Sequence, residues 1–490
     1  MPSTSAPIVQ QLRHDFETLL TYVTGPEAGT QTAYTVELTL FRQLLALGAA
    51  LLRLFFVTRA TDRPAAPVPA ADRTPFTYHD CRPVTYYSIF GKVRFARHYF
   101  TAPGQAGACP LDAALSLPHR CYSALLREWA AFGTTDESYR ESQTGLERIL
   151  GCKLSLQALE TGMMEDAADV TAFYAQPPDP SAPVALGPIL VVQADGKGVP
   201  QAQSLPDTAR ERLGKGEKRS KKKEATVTSL YSIAAYHRTP QDVVAALMQE
   251  ELPLQVTPRP QPVAKEVHAT LGGKTSALTQ LKQRATQRLG PQIQDRVALT
   301  DGAETLQALV QAHFPAHTLV LDIIHATEYL WDVATALLGE THPARKAWVR
   351  TRLEQVLSGA TATVIAELKA TAQDPELTAT HRKVVLKTAG YYQRNQLYMH
   401  YDAYLARGWP IGTGVVEGAC GHLVKDRMEG AGMRWTVDGA QAVLDLRAVR
   451  LNDDWDAYWA YHRQQQHQRL YGAAAPVPQA VETQVLQLAA

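Results

Sequence analysis

Three acidic residues stand where a carboxylate can do more than solvate a surface. Asp195 closes the run Ile189-Leu190-Val191-Val192-Gln193-Ala194 and precedes Gly196-Lys197-Gly198. Asp301 closes Val297-Ala298-Leu299-Thr300 and precedes Gly302, and Glu417 lies in Gly412-Thr413-Gly414-Val415-Val416-Glu417-Gly418-Ala419, which reads as the opening of a helix. Carboxylates delivered by two strand ends and one helix can converge on a single point. Oxygen donors of this kind suit Mg²⁺, which keeps waters for exchange with phosphate oxygens. Two such ions together activate a water and steady the leaving oxygen of a phosphodiester. The expected cofactor is therefore Mg²⁺, with Mn²⁺ able to substitute. Solvated surface charges and Asp-Gly hairpin turns are the plain alternatives for these residues.

A second element is Asp322-Ile323-Ile324-His325, which ends the apolar run Thr318-Leu319-Val320-Leu321. Asp and His three apart at a strand-to-helix junction are expected to bond each other and orient a neighbour; His325 as a metal ligand is the alternative. Positive charge gathers in two places. Residues 210–224 carry Arg210, Arg212, Lys215, Lys218, Arg219, Lys221, Lys222 and Lys223 against Glu211, Glu217 and Glu224, an excess of five. Beyond Glu417 come Lys425, Arg427, Arg434 and Trp435. With Lys197 these are candidate DNA-phosphate contacts, giving salt-sensitive affinity without sequence reading.

The elements that must position these groups follow from the apolar patterning. Residues 10–59 read as N-terminal helices, and a Pro/Ala-rich linker follows over 61–75. A small basic unit over 76–120 contains a hairpin turning near Gly91, whose second arm alternates Val93, Phe95, Arg97 and Tyr99 with Lys92, Arg94, Ala96 and His98. Residues 121–180 read as helical. Within them Ser138 to Gly151, then a fresh start at Ser155, give the outline of a helix-turn-helix over 138–165, with a plain helical hairpin as the equal alternative. Strands ending at Asp195 and Asp301 belong to an α/β core beginning near 185, with a strand over 225–236 and a helix over 263–289. Residues 326–405 read as an all-helical insertion bearing the stripe Tyr329, Leu330, Val333 and Leu337. Residues 406–470 return to the core with the Glu417 helix, and 471–490 read as a tail.

Composition narrows the classes. At 490 residues the chain needs several folding units. Hydrophobic content of 45%, charged content of 20% and a net charge of +1 describe a globular protein with no global polyelectrolyte character, and leave local patches to decide partners. Five widely spaced cysteines, with no Cys-x-x-Cys pair, support neither a zinc knuckle nor a disulfide framework. The start, Met1-Pro2-Ser3-Thr4-Ser5, lacks a signal-peptide pattern. The apolar stretch 44–57 is interrupted by Arg53 and is short for a span, so a buried helix, no membrane and a cytoplasmic location are expected.

Several of these segments carry a resemblance. The segment from Gly408-Trp409-Pro410-Ile411-Gly412-Thr413-Gly414 through Glu417-Gly418-Ala419-Cys420 and His422-Leu423-Val424-Lys425-Asp426-Arg427-Met428-Glu429-Gly430 to Gly432-Met433-Arg434-Trp435 resembles the C-terminal signature of bacterial insertion-sequence transposases of the Kra type. Gln193-Ala194-Asp195-Gly196-Lys197-Gly198-Val199-Pro200, the loop ending Lys221-Lys222-Lys223, and Pro110-Leu111-Asp112 resemble the same family. The likeness runs from about 85 to 460. It implies a DDE transposase with a ribonuclease H-like core interrupted by a helical insertion and preceded by a helical and β-hairpin region. In such an enzyme Asp195, Asp301 and Glu417 bind two Mg²⁺ ions, and the substrates are double-stranded element ends and target DNA. A homodimer on paired ends and nucleoid association are further implications. Asp322-x-x-His325 matches the Asp/Cys-x-x-His element of the related Mutator and hAT groups. Relatives often carry cysteine pairs near the hairpin; here Tyr99 and a lone Cys109 stand in that region, which leaves a zinc ribbon in doubt. A nuclease of the same core without strand transfer, and an inactive transposase-derived DNA-binding protein, are the rival classes.

Overall fold

A computed structural model describes residues 5–60, 64–66, 74–177, 185–202, 222–250 and 258–472. The chain divides into two compact units, Met1–Asp169 with Trp455–Ala490, and Val170–Asp454. This redraws the expected boundaries. The helix Trp455–Tyr471 belongs with the N-terminal unit, not with the second part of the core, because a buried polar network ties it there. His462 Nδ1 lies 2.7 Å from Asp169 Oδ2 and Arg469 Nη1 lies 2.6 Å from Asp169 Oδ1. Neighbouring Asp166 holds Arg127 at 2.5 Å. Buried charges persist only when paired in this way.

In the N-terminal unit the expected hairpin forms as β1 (Thr77–Ser88) and β2 (Gly91–Thr101), paired antiparallel with Ser88 opposite Gly91. Alternation sends Val93 and Phe95 inward against the helix Ala33–Ala60, where Phe56 stacks on Phe95 at 4.2 Å. Arg97 is paired with Asp112 at 2.8 Å. That helix corrects the expectation of burial. It spans 28 residues and is long and apolar enough to cross a bilayer, yet only 11% of its most apolar window is buried. Its C-terminal end packs on the hairpin while Phe41, Leu44, Leu51 and Phe55 stay exposed. The helical pair over 138–165 also forms. A capping box joins Ser138 and Glu141, Gly151 ends the first helix at φ +65°, and Ser155 caps the second. The second helix, Leu156–Asp166, contains three acids and no Lys or Arg, which opposes docking in a DNA groove.

The second unit is a mixed α/β fold. Its sheet has strands β3 (Ile189–Pro200), β4 (Lys222–Ile233), β5 (Val263–Thr270), β6 (Asp295–Thr300) and β7 (Thr318–Leu321), in the order β5-β4-β3-β6-β7. β4 runs antiparallel to β3 and β5, whereas β6 runs parallel to β3 and β7. Two readings change. Residues 263–270 form a strand because Val267 and Ala269 alternate inward and pair with β4; the helix begins at Lys274. β3 does not stop at Asp195 but continues to Pro200 along β4. Only its parallel ladder to β6 ends early, at Gln193 opposite Leu299.

Alternation along β3 assigns the two faces. Leu190, Val192 and Ala194 pack with Leu278, Leu281, Leu306 and Val310 of the helices Lys274–Gln287 and Glu304–His313. Ile189 and Val191 pack with Leu330, Val333, Leu353 and Tyr392 of the helical segment over 323–406, which appears as expected. With a period of two, Gln193 and Asp195 fall on this second face.

Candidate metal centre

Strand register brings aspartates to one edge of the sheet. If the β3–β6 register is continued by two residues, Asp195 stands beside Asp301, and neighbouring strands lie about 4.8 Å apart. Thr300 pairs with Leu321 on β7, which sets Asp301 beside Asp322. An aspartate thus follows the end of β6 and the end of β7, and a third stands on β3 just past the point where its parallel ladder to β6 ends; this edge is the usual place for ligand chemistry in an open α/β sheet.

Asp322 is an organiser, not a free donor. Fully buried, it accepts at Oδ1 from Thr413 N at 3.0 Å and at Oδ2 from His325 N at 3.0 Å, with His325 Nδ1 2.7 Å from Oδ2. The expected Asp322–His325 bond is therefore present. It pushes the His325 pKa up to about 9, with further help from Glu328 and Asp301 and against partial burial. His325 Nδ1 also lies 3.9 Å from Glu417 Oε1. Among the described residues, Asp322, His325 and Glu417 are the one group whose ligand-type atoms fall within 4.8 Å of one another. A metal taken by Asp322 would have to break the bonds just named, so we assign it to positioning.

Glu417 reaches this edge through a residue that pattern reading overlooked. Gln193 is buried at 1% exposure in the middle of the sheet. Its Oε1 accepts from Val416 N at 2.9 Å and from Ser229 Oγ at 3.0 Å. Its Nε2 faces Gly412 O at 3.3 Å and Tyr231 OH at 3.2 Å. The segment carrying Glu417 is thus hydrogen-bonded directly to β3, two residues before Asp195. Ile323 N donates to Ile411 O at 3.0 Å on the other side, and Thr413 Oγ1 donates to Glu417 Oε1 at 2.5 Å. The helix Gly414–Ala419 then widens into a π turn over Cys420–Lys425, a distortion frequent at functional sites.

Asp195 and Asp301 are held by their own loops. Asp195 Oδ1 accepts from Gly196 N at 2.6 Å, and its Oδ2 accepts the Cys420 thiol at 3.3 Å. Burial first, then Asp195 and Glu417, push the Cys420 pKa far up, so it stays a thiol donor. Asp301 Oδ1 accepts from Ala303 N at 3.0 Å; its carbonyl accepts from Tyr391 OH at 2.8 Å. The next carbonyl, of Gly302, accepts from Arg394 Nη2 at 2.9 Å. Gly302 has φ +89°, and a Cβ there would fall 2.6 Å from Tyr391 Oη, so only glycine fits this turn. Gln193, Cys420, Thr413 and Tyr391 were not singled out from sequence. The available signals were a lone amide in an apolar strand and a cysteine three residues after Glu417.

The three carboxylates are each half-buried, and among the described residues none has a Lys or Arg within ion-pair distance. Negative charge that among the described residues only His325 offsets, built from hard oxygen donors, fits a divalent cation. The candidate DNA contacts divide. Lys197, Lys222 and Lys425 surround Glu429, whose pKa they lower, with Lys222 Nζ 2.5 Å from Glu429 Oε1. Lys222, Lys223, Lys425 and Arg434 are exposed. Arg427 and Trp435 are corrected: Arg427 is 1% exposed with its guanidinium 4.8 Å from the Trp435 ring, and Trp435 donates its indole N–H to Met428 O at 3.1 Å. Both are core, because the chain folds back here so that Trp435 pairs with Pro200 and Ala202. Lys215, Lys218, Arg219 and Lys221 lie outside the described residues.

No family model matches the chain, and no curated protein matches it.

Two outcomes follow. Gln193→Leu strands Val416 N and Gly412 O in the interior, so it is expected to cost roughly 2–4 kcal/mol in denaturant unfolding; an unchanged midpoint removes Gln193 from its bridging role. For His325 the folded pKa is raised, so its stabilisation is complete below pH of about 6.5 and is lost as pH rises through about 9. Melting of metal-free protein across that window should fall for the wild type, and His325→Gln should flatten that part of the profile.

Proposed function

We propose that this chain is a DDE-type DNA transposase whose second unit is a ribonuclease H-like core. The sheet order supports the reading: an antiparallel stretch β5-β4-β3 joined to parallel β6 and β7, with acids on β3 and after β6. A helical segment falls between Asp301 and Glu417, as the resemblance implies. The observation that carries the proposal is the bridge from Gln193 to Val416, which ties the segment bearing Glu417 to the strand bearing Asp195; among the described residues neither Asp195 nor Asp301 has a basic partner.

Asp195, Asp301 and Glu417 would hold the metal. When bound, a pair of divalent ions there supplies a water of lowered pKa and charge neutralisation for the departing oxygen. The residues of the chain do the rest. Asp322 keeps the Thr413 loop and His325 in place, and His325, held protonated, offsets part of the acidic charge beside Glu417. Cys420 donates its thiol proton toward Asp195 Oδ2 while Gly196 N donates to Oδ1, and the two together fix the orientation of the carboxylate. Lys197, Lys222 and Lys425, gathered around Glu429, offer charge to the sugar-phosphate backbone. No side chain acts as a nucleophile. DNA cleavage frees a 3′-hydroxyl, and strand transfer uses that hydroxyl on a target phosphodiester, with one P–O bond made and one broken at each step.

The test is joining. Oligonucleotide duplexes copied from the flanks of the coding region, supplied with pre-exposed 3′-hydroxyls, should become joined to a plasmid in Mg²⁺ or Mn²⁺. Asp195→Asn, Asp301→Asn and Glu417→Gln should each lower the rate by at least about 10²-fold, the scale of losing an electrostatic contact used in the transition state. Cleavage without joining assigns the chain to the nuclease class. Wild-type levels of product in all three variants refute the metal centre.

A further inference from the structure

We propose that the exposed face of the helix Ala379–Asn395 is a track for the phosphodiester backbone of duplex DNA leaving the candidate metal centre; this rests on the function proposed above. The helix reads Ala-Thr-His-Arg-Lys-Val-Val-Leu-Lys-Thr-Ala-Gly-Tyr-Tyr-Gln-Arg-Asn, with Arg382, Lys383, Lys387 and Arg394 and no acidic residue. Solvated protein surfaces ordinarily intersperse both signs. Here one sign occupies seventeen residues.

Position adds the second argument. Lys383, Lys387 and Arg394 are four and seven residues apart, so they share one helical face, and all three are exposed. Gly390 completes the same stripe, with nothing within 4 Å of where its Cβ would be, so the face stays open. Arg382 is not part of it, since its guanidinium donates to the carbonyls of Ala372, Asp374 and Leu377. Lys387 lies 4.9 Å from the Tyr329 ring, and neither Lys383 nor Lys387 has an acidic partner within ion-pair distance among the described residues. On the opposite side of the helix, Val385 and Tyr392 are in the core.

The track begins at the site itself. Tyr391 and Arg394 bind the carbonyls of Asp301 and Gly302, so the C-terminal end of the helix is fastened to the turn that carries a candidate metal ligand. From Arg394 back to Lys383 the helix rises about 16 Å. Phosphates on one DNA strand advance about 3.4 Å each, so the stripe spans about five of them. A backbone contact of this type reads no bases, which suits DNA that changes sequence from one target to the next.

The experiment is anisotropy binding of the full chain to a labelled duplex without divalent metal, repeated over a salt series. Lys383→Gln/Lys387→Gln should weaken binding roughly tenfold at low salt and reduce the slope of log affinity against log salt by about 2, equally for unrelated sequences. Lys282→Gln, an exposed charge on a helix packed against the other face of the sheet, should leave both unchanged. A double variant that melts like the wild type but keeps its affinity and slope overturns the track while leaving the proposed enzyme standing. Absence of DNA binding and of joining by the wild type removes both together.

Discussion

One buried amide sets the geometry on which the centre depends. Gln193 lies in the middle of β3, between the buried Val192 and Ala194, and its carbonyl oxygen accepts from Val416 N and Ser229 Oγ. An unsatisfied amide in such a place costs on the order of 1–3 kcal/mol, so the partners are not optional. The consequence is positional. The segment 411–417 comes from the far end of a long helical excursion, yet it is fixed against β3 as closely as a strand neighbour would be. Asp322 repeats the device from β7 through Thr413 N. Two buried polar side chains therefore hold one loop from both sides, and Glu417 is the residue that this loop presents.

Charge follows from that geometry. Among the described residues Asp195, Asp301 and Glu417 have no arginine or lysine partner; the ligand atoms that fall together are those of Glu417, Asp322 and His325, and His325 is itself held by Asp322. Such an arrangement carries repulsion that a divalent cation relieves. The lysines stand outside it, on the β3–β4 arm and the π turn, where Glu429 moderates them. For the function proposed above, acidic carboxylates and nearby lysines would supply what a phosphodiester requires: neutralisation at the reacting phosphorus and screening along the strand on either side.

Much of the core was legible because burial imposes a period. The apolar runs before Asp195, Asp301 and Asp322 are strands, since parallel strands covered on both faces read as continuous apolar stretches. The helical segment over 326–405 was legible from Leu330 and Val333. Residues 263–270 misled because Val263, Ala264, Val267 and Ala269, broken by Lys265 and Glu266, run straight on toward a true helix that begins at Lys274. Arg427 and Trp435 misled because a basic-aromatic string looks like a DNA face until the chain folds back on Pro200. The exposure of Phe41, Leu44, Leu51 and Phe55 was hidden for a related reason: apolar content does not say which neighbour will cover a helix. The attachment of Trp455–Tyr471 to the N-terminal unit depends on Asp166 and Asp169, nearly three hundred residues away. No local pattern carries such a pairing, nor the bond from Gln193 to Val416.

The proposed function needs one cation site made by three separated acids and held by Gln193. Calorimetric titration of Mn²⁺ into the wild type, Asp195→Asn, Glu417→Gln and Gln193→Leu tests it most directly. The expected result is saturable binding of two ions in the wild type, weaker or fewer ions in either carboxylate variant, and weakened binding in Gln193→Leu although every ligand remains. Equal Mn²⁺ binding by all four proteins, with each one folded, would contradict it.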